Sequence, residues 1–556
     1  MLKHTAVVVA VLLLSTSGLA QAQKPSATAA ASQPLAAQLD ALLAPQFKPG
    51  DPGATVIVVK DGKTVLRKAY GMADVAAKVP LTPATTLRLG SITKQFTAVA
   101  ILMLADEGRL ALNDPITRFF PDFPMQGKVI TVEHLLTHTS GIVSYTGKPG
   151  FGATMTRDFS VAEMIDGFKN DPLEFEPGTR FHYNNSGYFL LGAIIEKVSG
   201  QPYARFLERR IFAPLGMNDT AYEGFERSRA PRAVGHTATD KGFAHSEPLS
   251  MSQPYAAGAL VSTVDDLATW DAAIQAGQLL TPASWKRAFT SYRMAPDRTA
   301  NYGYGWHIGK LQGVPMIEHG GGINGFSTHA LRIPDRKVYV AVLTNSDSGP
   351  ANPGLVARKA AGIAIGKPYR EFKEVALDGA ALDAVTGTYE VEKGVQRVFR
   401  RGGDGLVMQR SGRPPVALKA ASNDTFFVPG GLDWFEFQRD AAGKVTALTL
   451  HQDGNALVHQ RIGDAPAGRK AVKIASAAFD TRVGRYELRP GFVMELSREG
   501  DRYFAQATGQ PKLEIFPMSE TVFFSNEVDA EISFEPAAGQ DLVLKQGGRS
   551  IPARKL

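Results

Sequence analysis

At 556 residues, with 44% hydrophobic and 21% charged residues, the chain is too long for one core and reads as a soluble globular protein of about two to four domains. It has no cysteine, which excludes disulfides, cysteine catalysis, cysteine-ligated zinc and a lipid-anchored N-terminal cysteine. The formal net charge of +7 is scattered along the chain, which argues against a nucleic-acid stripe and fits solubility and attraction to anionic envelope polymers.

The first 22 residues have a short basic start, an apolar run of Ala, Val and Leu, and Ala20-Gln21-Ala22, the three parts of a secretory signal peptide. Cleavage is expected after Ala22; it removes Lys3 alone among charged side chains and leaves +6. The apolar run is too short to span a bilayer and no later run is long enough, so a periplasmic or secreted protein without a membrane span is expected. Residues 23–38, rich in Ala, Ser, Gln and Pro, read as a flexible leader.

Residues 54–60 and 64–70 are β-branched runs joined across Asp61-Gly62, which predicts a hairpin. After a short extended stretch at 85–89 comes Ser91-Ile92-Thr93-Lys94, followed by Phe96, Val99, Leu102 and Met103 at helical spacing. Ser91 therefore opens a helix, where unpaired backbone N–H groups favour an oxyanion, and Lys94 lies one turn on along the same face. Taken alone, the pair is a cap and a solvated lysine, or a nucleophile with a base in reach.

A polar turn at Asn113-Asp114-Pro115 precedes His134-Leu135-Leu136-Thr137-His138-Thr139-Ser140-Gly141. Two histidines four apart suit a metal, but the zincin glutamate is absent and no third ligand is suggested, so loop structure or an outer support of a site is expected and no metal. In Tyr183-Asn184-Asn185, Tyr183 and Asn185 project similarly if the backbone is extended, offering a phenol that can relay a proton and an amide that can bind a carbonyl. Residues 189–198 then predict an apolar helix ending at Gly200. Ser262 or Thr263 caps a further helix, with Asp265 and Asp266 in its first turn. Tyr302-Gly303-Tyr304-Gly305-Trp306 supplies aromatic bulk as core strand or pocket wall.

In Glu318-His319-Gly320-Gly321-Gly322-Ile323-Asn324-Gly325, the glycines allow close backbone approach and His319 offers a titrating group at their edge; alone this reads as a turn or a phosphate loop. Residues 328–333 and 338–344 flank Pro334-Asp335-Arg336 as a second hairpin. Strands at both ends with helices between predict an α+β domain whose terminal segments share one sheet.

The three motifs in this order, Ser91-Ile92-Thr93-Lys94, Tyr183-Asn184-Asn185 and His319-Gly320-Gly321, resemble the serine β-lactamase and penicillin-binding protein superfamily over about residues 39–366. The similarity is to its class C-like branch, which also holds esterases and D-stereospecific aminopeptidases. The resemblance implies Ser91 as the acylated nucleophile, Lys94 as the group sharing its proton, and Tyr183 as general base and then acid. It implies Asn185, His319, Gly320 and Gly321 as substrate-binding residues, the backbone N–H groups of Ser91 and Gly322 as oxyanion hole, and no cofactor. One departure bears on substrate: the branch's β-lactamases carry Lys-Thr-Gly where this chain has His319-Gly320-Gly321, replacing a permanent cation by a mostly neutral group. That looks more like the D-aminopeptidases and esterases of the branch.

The tail repeats itself. Gly387-Thr388-Tyr389-Glu390 recurs as Gly484-Arg485-Tyr486-Glu487, Phe426-Phe427 as Phe523-Phe524 and Phe437 as Phe534, all at an offset of 97 residues. Short alternating runs with Gly-rich turns predict two small antiparallel β-barrels. The expected organisation is a signal peptide (1–22), the leader (23–38), a β-lactamase-like catalytic domain (39–370) and two lipocalin-like barrels (378–465 and 477–556). The expected activity is an exported serine hydrolase cleaving an amide or ester through an acyl-enzyme, in D-amino-acid peptides or small esters. The alternatives are a penicillin-binding sensor that holds peptidoglycan fragments with little turnover, or a weak β-lactamase.

Overall fold

The structure, a computed structural model, describes residues 34–556 apart from 225–229, 296–297, 350, 403–404, 467–468, 470, 490–491, 509, 511, 526–527, 529, 535–540 and 547–548. The expected signal peptide and residues 23–33 of the expected leader lie outside the described residues. The last four residues of the expected flexible leader, 35–38, instead open the helix Leu35–Leu43. Its apolar residues Leu35, Leu39, Leu42 and Leu43 fall on one face and pack against the helix Pro353–Ala364, so this stretch belongs to the folded domain.

A six-stranded antiparallel sheet organises the catalytic domain, in the order His307–Leu311, Val314–Ile323, Phe326–Ile333, Val338–Thr344, Ala54–Lys60, Lys63–Tyr70. The chain's early and late segments do share it, with Ala54 paired to Thr344 and Lys60 to Val338. Asp61 and Gly62 both have positive φ, 51° and 72°, as a two-residue hairpin turn of the primed type requires. Alternation along the strands sorts side chains into two cores: Val56, Val58, Val340 and Val342 face the helices Leu35–Leu43 and Pro353–Ala364, whereas Ile57, Ala341 and Leu343 face the helical region inserted between the strands. Both faces are covered, which is why Val338–Thr344 is buried along its whole length.

At the centre of the larger core lies the helix Thr93–Asp106, buried from Thr93 to Leu104. It is buried on every side through Leu104, polar Thr93, Lys94, Gln95 and Thr97 included, where the sequence spacing alone describes one apolar face. Phe96 stacks on Trp270 of the helix Val264–Gln275, ring centres 4.4 Å apart. Thr263 caps that helix, its hydroxyl accepting from the Asp266 N–H.

Two closed eight-stranded barrels follow, from Gly387–Glu392 to Asn455–Gly463 and from Gly484–Arg489 to Arg549–Lys555. The repeat in sequence is a repeat in structure. A short helix precedes each barrel, Gly379–Val385 and Ser476–Asp480, placing Leu382 and Phe479 in the respective cores. The Tyr389 hydroxyl donates to the Val385 carbonyl at 3.1 Å and the Tyr486 hydroxyl to the Arg482 carbonyl at 2.7 Å, the same bond in both copies. The first barrel docks turn to turn on the catalytic sheet: the Gly313 N–H donates to the Asp453 carbonyl at 2.8 Å, and a Cβ on Gly454 would stand 2.3 Å from the Gln312 carbonyl carbon.

Candidate active site

Ser91 lies in a single 3-10 turn, Gly90–Ile92, that feeds directly into the helix Thr93–Asp106. The approach is fixed on both sides: Leu87–Arg88 pairs with Leu260–Ser262, and the Leu89 N–H donates to the Leu260 carbonyl at 2.8 Å. Gly90 turns the chain with φ of 53°, and a Cβ there would stand 3.0 Å from the Gly322 nitrogen. Gly321 is equally constrained, since a Cβ on it would stand 2.0 Å from the Leu89 carbonyl oxygen. These glycines let a sheet strand lie backbone to backbone against the serine turn. The glycine motif is therefore neither a turn nor a phosphate loop: it forms the strand Val314–Ile323, with Gly320 opposite His329, Gly321 opposite Thr328 and Gly322 opposite Ser327.

Lys94 is fully buried, at 0% exposure. Its Nζ lies 2.9 Å from each of three oxygens: Ser91 Oγ, Asn185 Oδ1 and the Ala257 carbonyl. The last two only accept, so once the amine is neutral its two N–H groups go to them and its lone pair is left for the Ser91 hydroxyl. Burial pushes the amine well below the ordinary lysine range, and none of its three hydrogen-bond partners is a carboxylate that would restore the charge. That is a base able to work near neutral pH.

Tyr183 reaches the same point by another route. Asn184 caps the helix Asn185–Ser199, its Oδ1 accepting from the Gly187 N–H at 2.8 Å, and Gly200 ends that helix with φ of 72°. Asn185 is thus the first helical residue, and Tyr183 and Asn185 are not alternate positions of one extended strand. They still converge: Lys94 Nζ lies 4.8 Å from the centre of the Tyr183 ring and bonds Asn185 Oδ1. Asn185 Nδ2 donates to Thr146 Oγ1 at 3.1 Å, which fixes the amide's orientation. Burial raises the Tyr183 phenol well above its ordinary value, opposed by the neighbouring Ser91 hydroxyl. The phenol therefore holds its proton at neutral pH and is suited to donating one.

His319 differs most from its expected character. It is 2% exposed, its Nδ1 donates to the Gly320 carbonyl at 2.6 Å, and its Nε2 accepts from the Tyr302 hydroxyl at 2.9 Å. Burial, reinforced by His307 and Lys94, holds it well below the usual imidazole range. It is a neutral, fully bonded support and not a titrating group at the glycine edge.

Three further neighbours surround the site, and of these only His307 stands outside every stretch the sequence singles out. His138, buried and held neutral by burial, packs 4.3 Å from the Tyr183 ring and 4.7 Å from Tyr302 (centre to centre), while its Nδ1 accepts from the Asn184 N–H at 3.0 Å. His307 lies parallel to Tyr183, 9° between ring planes, and 5.1 Å from His319. Tyr302, from the aromatic run, ties the two motifs together. The histidine pair four apart is split: His134 stays on the helix Val132–Leu136, accepting from the Thr131 N–H, while His138 turns inward with φ of 57°.

A Ser-Lys pair at a buried helix start, beside the inner strands of an antiparallel sheet flanked by helices, is the arrangement of the beta-lactamase-like serine hydrolases. The chain belongs to the beta-lactamase family, whose model matches residues 9–364. It is similar to penicillin-binding protein 4* of Bacillus subtilis, 30% identical over 72% of this chain and 93% of that protein. It is also similar to the octameric penicillin-binding protein homologue from Pyrococcus abyssi (28% identity, TM-score 0.54, 74% of this chain and 95% of that one). A third similarity is to D-amino acid amidase from Ochrobactrum anthropi SV3 (26% identity, TM-score 0.52, 60% of this chain and 98% of that one). The protein is a serine hydrolase. Among the described residues, no helix is long and apolar enough to cross a membrane.

Proposed function

We propose that Ser91 attacks the carbonyl of an amide or ester, forms an acyl-enzyme and is released by water, with D-configured amino-acid amides and peptides or small esters as the substrate class. The observation that carries this reading is Lys94 Nζ at 2.9 Å from Ser91 Oγ with its two N–H groups already committed. Lys94 takes the serine proton as the Oγ–carbon bond forms. The oxyanion falls between the backbone N–H groups of Ser91 and Gly322, a pair of donors contributing roughly a few kcal/mol. Tyr183 gives its proton to the leaving nitrogen or oxygen and is replenished from Lys94. Asn185, Gly320 and Gly321 hold the acyl side of the substrate, and His319 keeps their strand in place. The neutral His319 and the similarity to a D-amino acid amidase both favour substrates without a carboxylate at that end over β-lactams.

Export is part of the proposal: residues 1–22 are removed and the enzyme acts outside the cytoplasm on small peptides, peptidoglycan fragments among them. The test is a panel of D- and L-phenylalanine amides, a nitrophenyl ester and a chromogenic cephalosporin, with intact-mass detection of adducts. D-amide or ester turnover that Ser91→Ala lowers by at least about 10²-fold is expected. Wild-type turnover by Ser91→Ala overturns the mechanism, and a stable penicillin adduct without turnover of any amide or ester replaces it with a sensor.

A further inference from the structure

A second cluster of chemistry-bearing side chains lies outside the Ser91 site. His236 and His245 face one another as register partners across the ribbon His236–Thr239 and Gly242–His245, and Asp74 ends the strand Met72–Asp74 beside them. One ligand atom from each falls within 4.8 Å of the other two. The His245 Nε2 to Asp74 Oδ1 separation is 3.6 Å. That is long for a hydrogen bond, but two ligands each about 2.1 Å from a tetrahedral ion stand about 3.4 Å apart.

His236 is already oriented as a ligand. It is 1% exposed, and its Nδ1 lies 3.2 Å from the Asn345 backbone carbonyl, which can only accept. Asn345 Nδ2 also lies 3.3 Å from that nitrogen, but its hydrogens are directed at the carbonyls of Met72, Ala73 and Val234. Nδ1 therefore carries the proton and Nε2 is the acceptor, at present taking a hydrogen bond from the Val75 N–H at 3.3 Å, which an ion on that nitrogen would displace. An imidazole whose remote N–H is bonded to a backbone carbonyl is the usual outer support of a metal-bound histidine. Asp74 is steadied by the Ala77 N–H at 3.0 Å, and the 56% exposed His245 side chain leaves an access path from solvent.

We propose that Asp74, His236 and His245 bind one zinc-class divalent cation, with water completing its coordination. Two imidazoles and one carboxylate select a first-row transition ion over magnesium or calcium. The ion joins the strand Met72–Asp74 to a ribbon that also holds the turn after Gly322: the His236 N–H donates to the Gly325 carbonyl at 3.3 Å, and Asn324 Nδ2 donates to the Glu247 carbonyl at 3.0 Å. Its role is to fasten these segments.

The full chain, freed of metal by EDTA dialysis, is titrated with zinc chloride by calorimetry and melted with and without zinc. One equivalent should bind and raise the melting temperature by about 2 °C or more, while magnesium chloride does neither. His245→Ala and Asp74→Asn should each lose that equivalent or weaken it at least about tenfold, with apo circular dichroism like the wild type's. Absence of saturable zinc binding, or zinc binding unchanged in both variants, overturns the proposal. So does a melting shift from the substitutions that is the same with and without zinc, which would leave a simple ion pair.

Discussion

Lys94 and Glu318 are both buried, and the molecule treats them in opposite ways. Glu318 sits next to His319 on the strand Val314–Ile323 and meets His329 at 2.9 Å and Arg358 on either side. Burial works against its charge, but His329 and Arg358 outweigh it and hold the carboxyl at about 2. Arg358 extends the network to Asp453 of the first barrel, at 3.5 Å. Lys94 is surrounded by a hydroxyl, an amide oxygen, a carbonyl and two tyrosine rings. A buried charge that is paired holds segments together; one denied a partner gives up its proton and becomes a base.

The sharpest way to break this comparison is Lys94→Arg, which keeps a cation but cannot deprotonate; it should lower kcat/KM by at least about 10²-fold. Lys94→Met should be equally inactive yet melt no lower than the wild type. A buried lysine whose pKa falls on folding costs stability at every pH below its unfolded value, and that cost disappears with the amine. A clear fall in melting temperature would mean that Lys94 is charged in the folded protein.

Glu318→Ala should cost about 3 kcal/mol or more in denaturant unfolding by stranding Arg358 and His329. Because its folded pKa is lowered, the wild-type contribution is complete above pH about 4.5 and is lost as pH falls toward about 2; Glu318→Gln should flatten that slope. In the rate profile, His138, His307 and His319 are all held below the ordinary imidazole range by burial, so no inflection near pH 6.5 is expected from them; one that His319→Asn removes would contradict the buried geometry. The smallest effect belongs to the exposed pair Arg67 and Asp265, where Arg67→Ala should change stability by less than about 1 kcal/mol, and less still at high salt.

What was legible in the sequence follows from how far each feature reaches along the chain. Ser91 and Lys94 are three apart on one helix, and Asp61-Gly62 sets its hairpin locally, so both are readable from short-range rules. The barrels are readable because one unit appears twice. His319 reads in sequence as a titrating group at the glycine edge because nothing in its own motif shows that the Tyr302 hydroxyl bonds it and that it is buried. His138 and His307 join the site through ring packing across 45 and 124 positions (His138 to Tyr183 and Tyr183 to His307), with no periodic signal. Asn185 meets Lys94 through the cap at Asn184 and not through the extended backbone that the sequence spacing suggests. The Asp74, His236 and His245 cluster is assembled from segments 162 residues apart and depends on strand register, which the residue types do not announce.

The contact between Gly90 and the Gly320 to Gly322 stretch has a practical consequence for anyone wishing to redirect this enzyme. Where main chain rests on main chain, there is no side chain to trim or enlarge, and any L-residue at 90 or 321 forces strand and serine apart. Libraries aimed at new substrates should leave these positions fixed, together with Ser144 and Thr146, whose hydroxyls hold Asn185 in place.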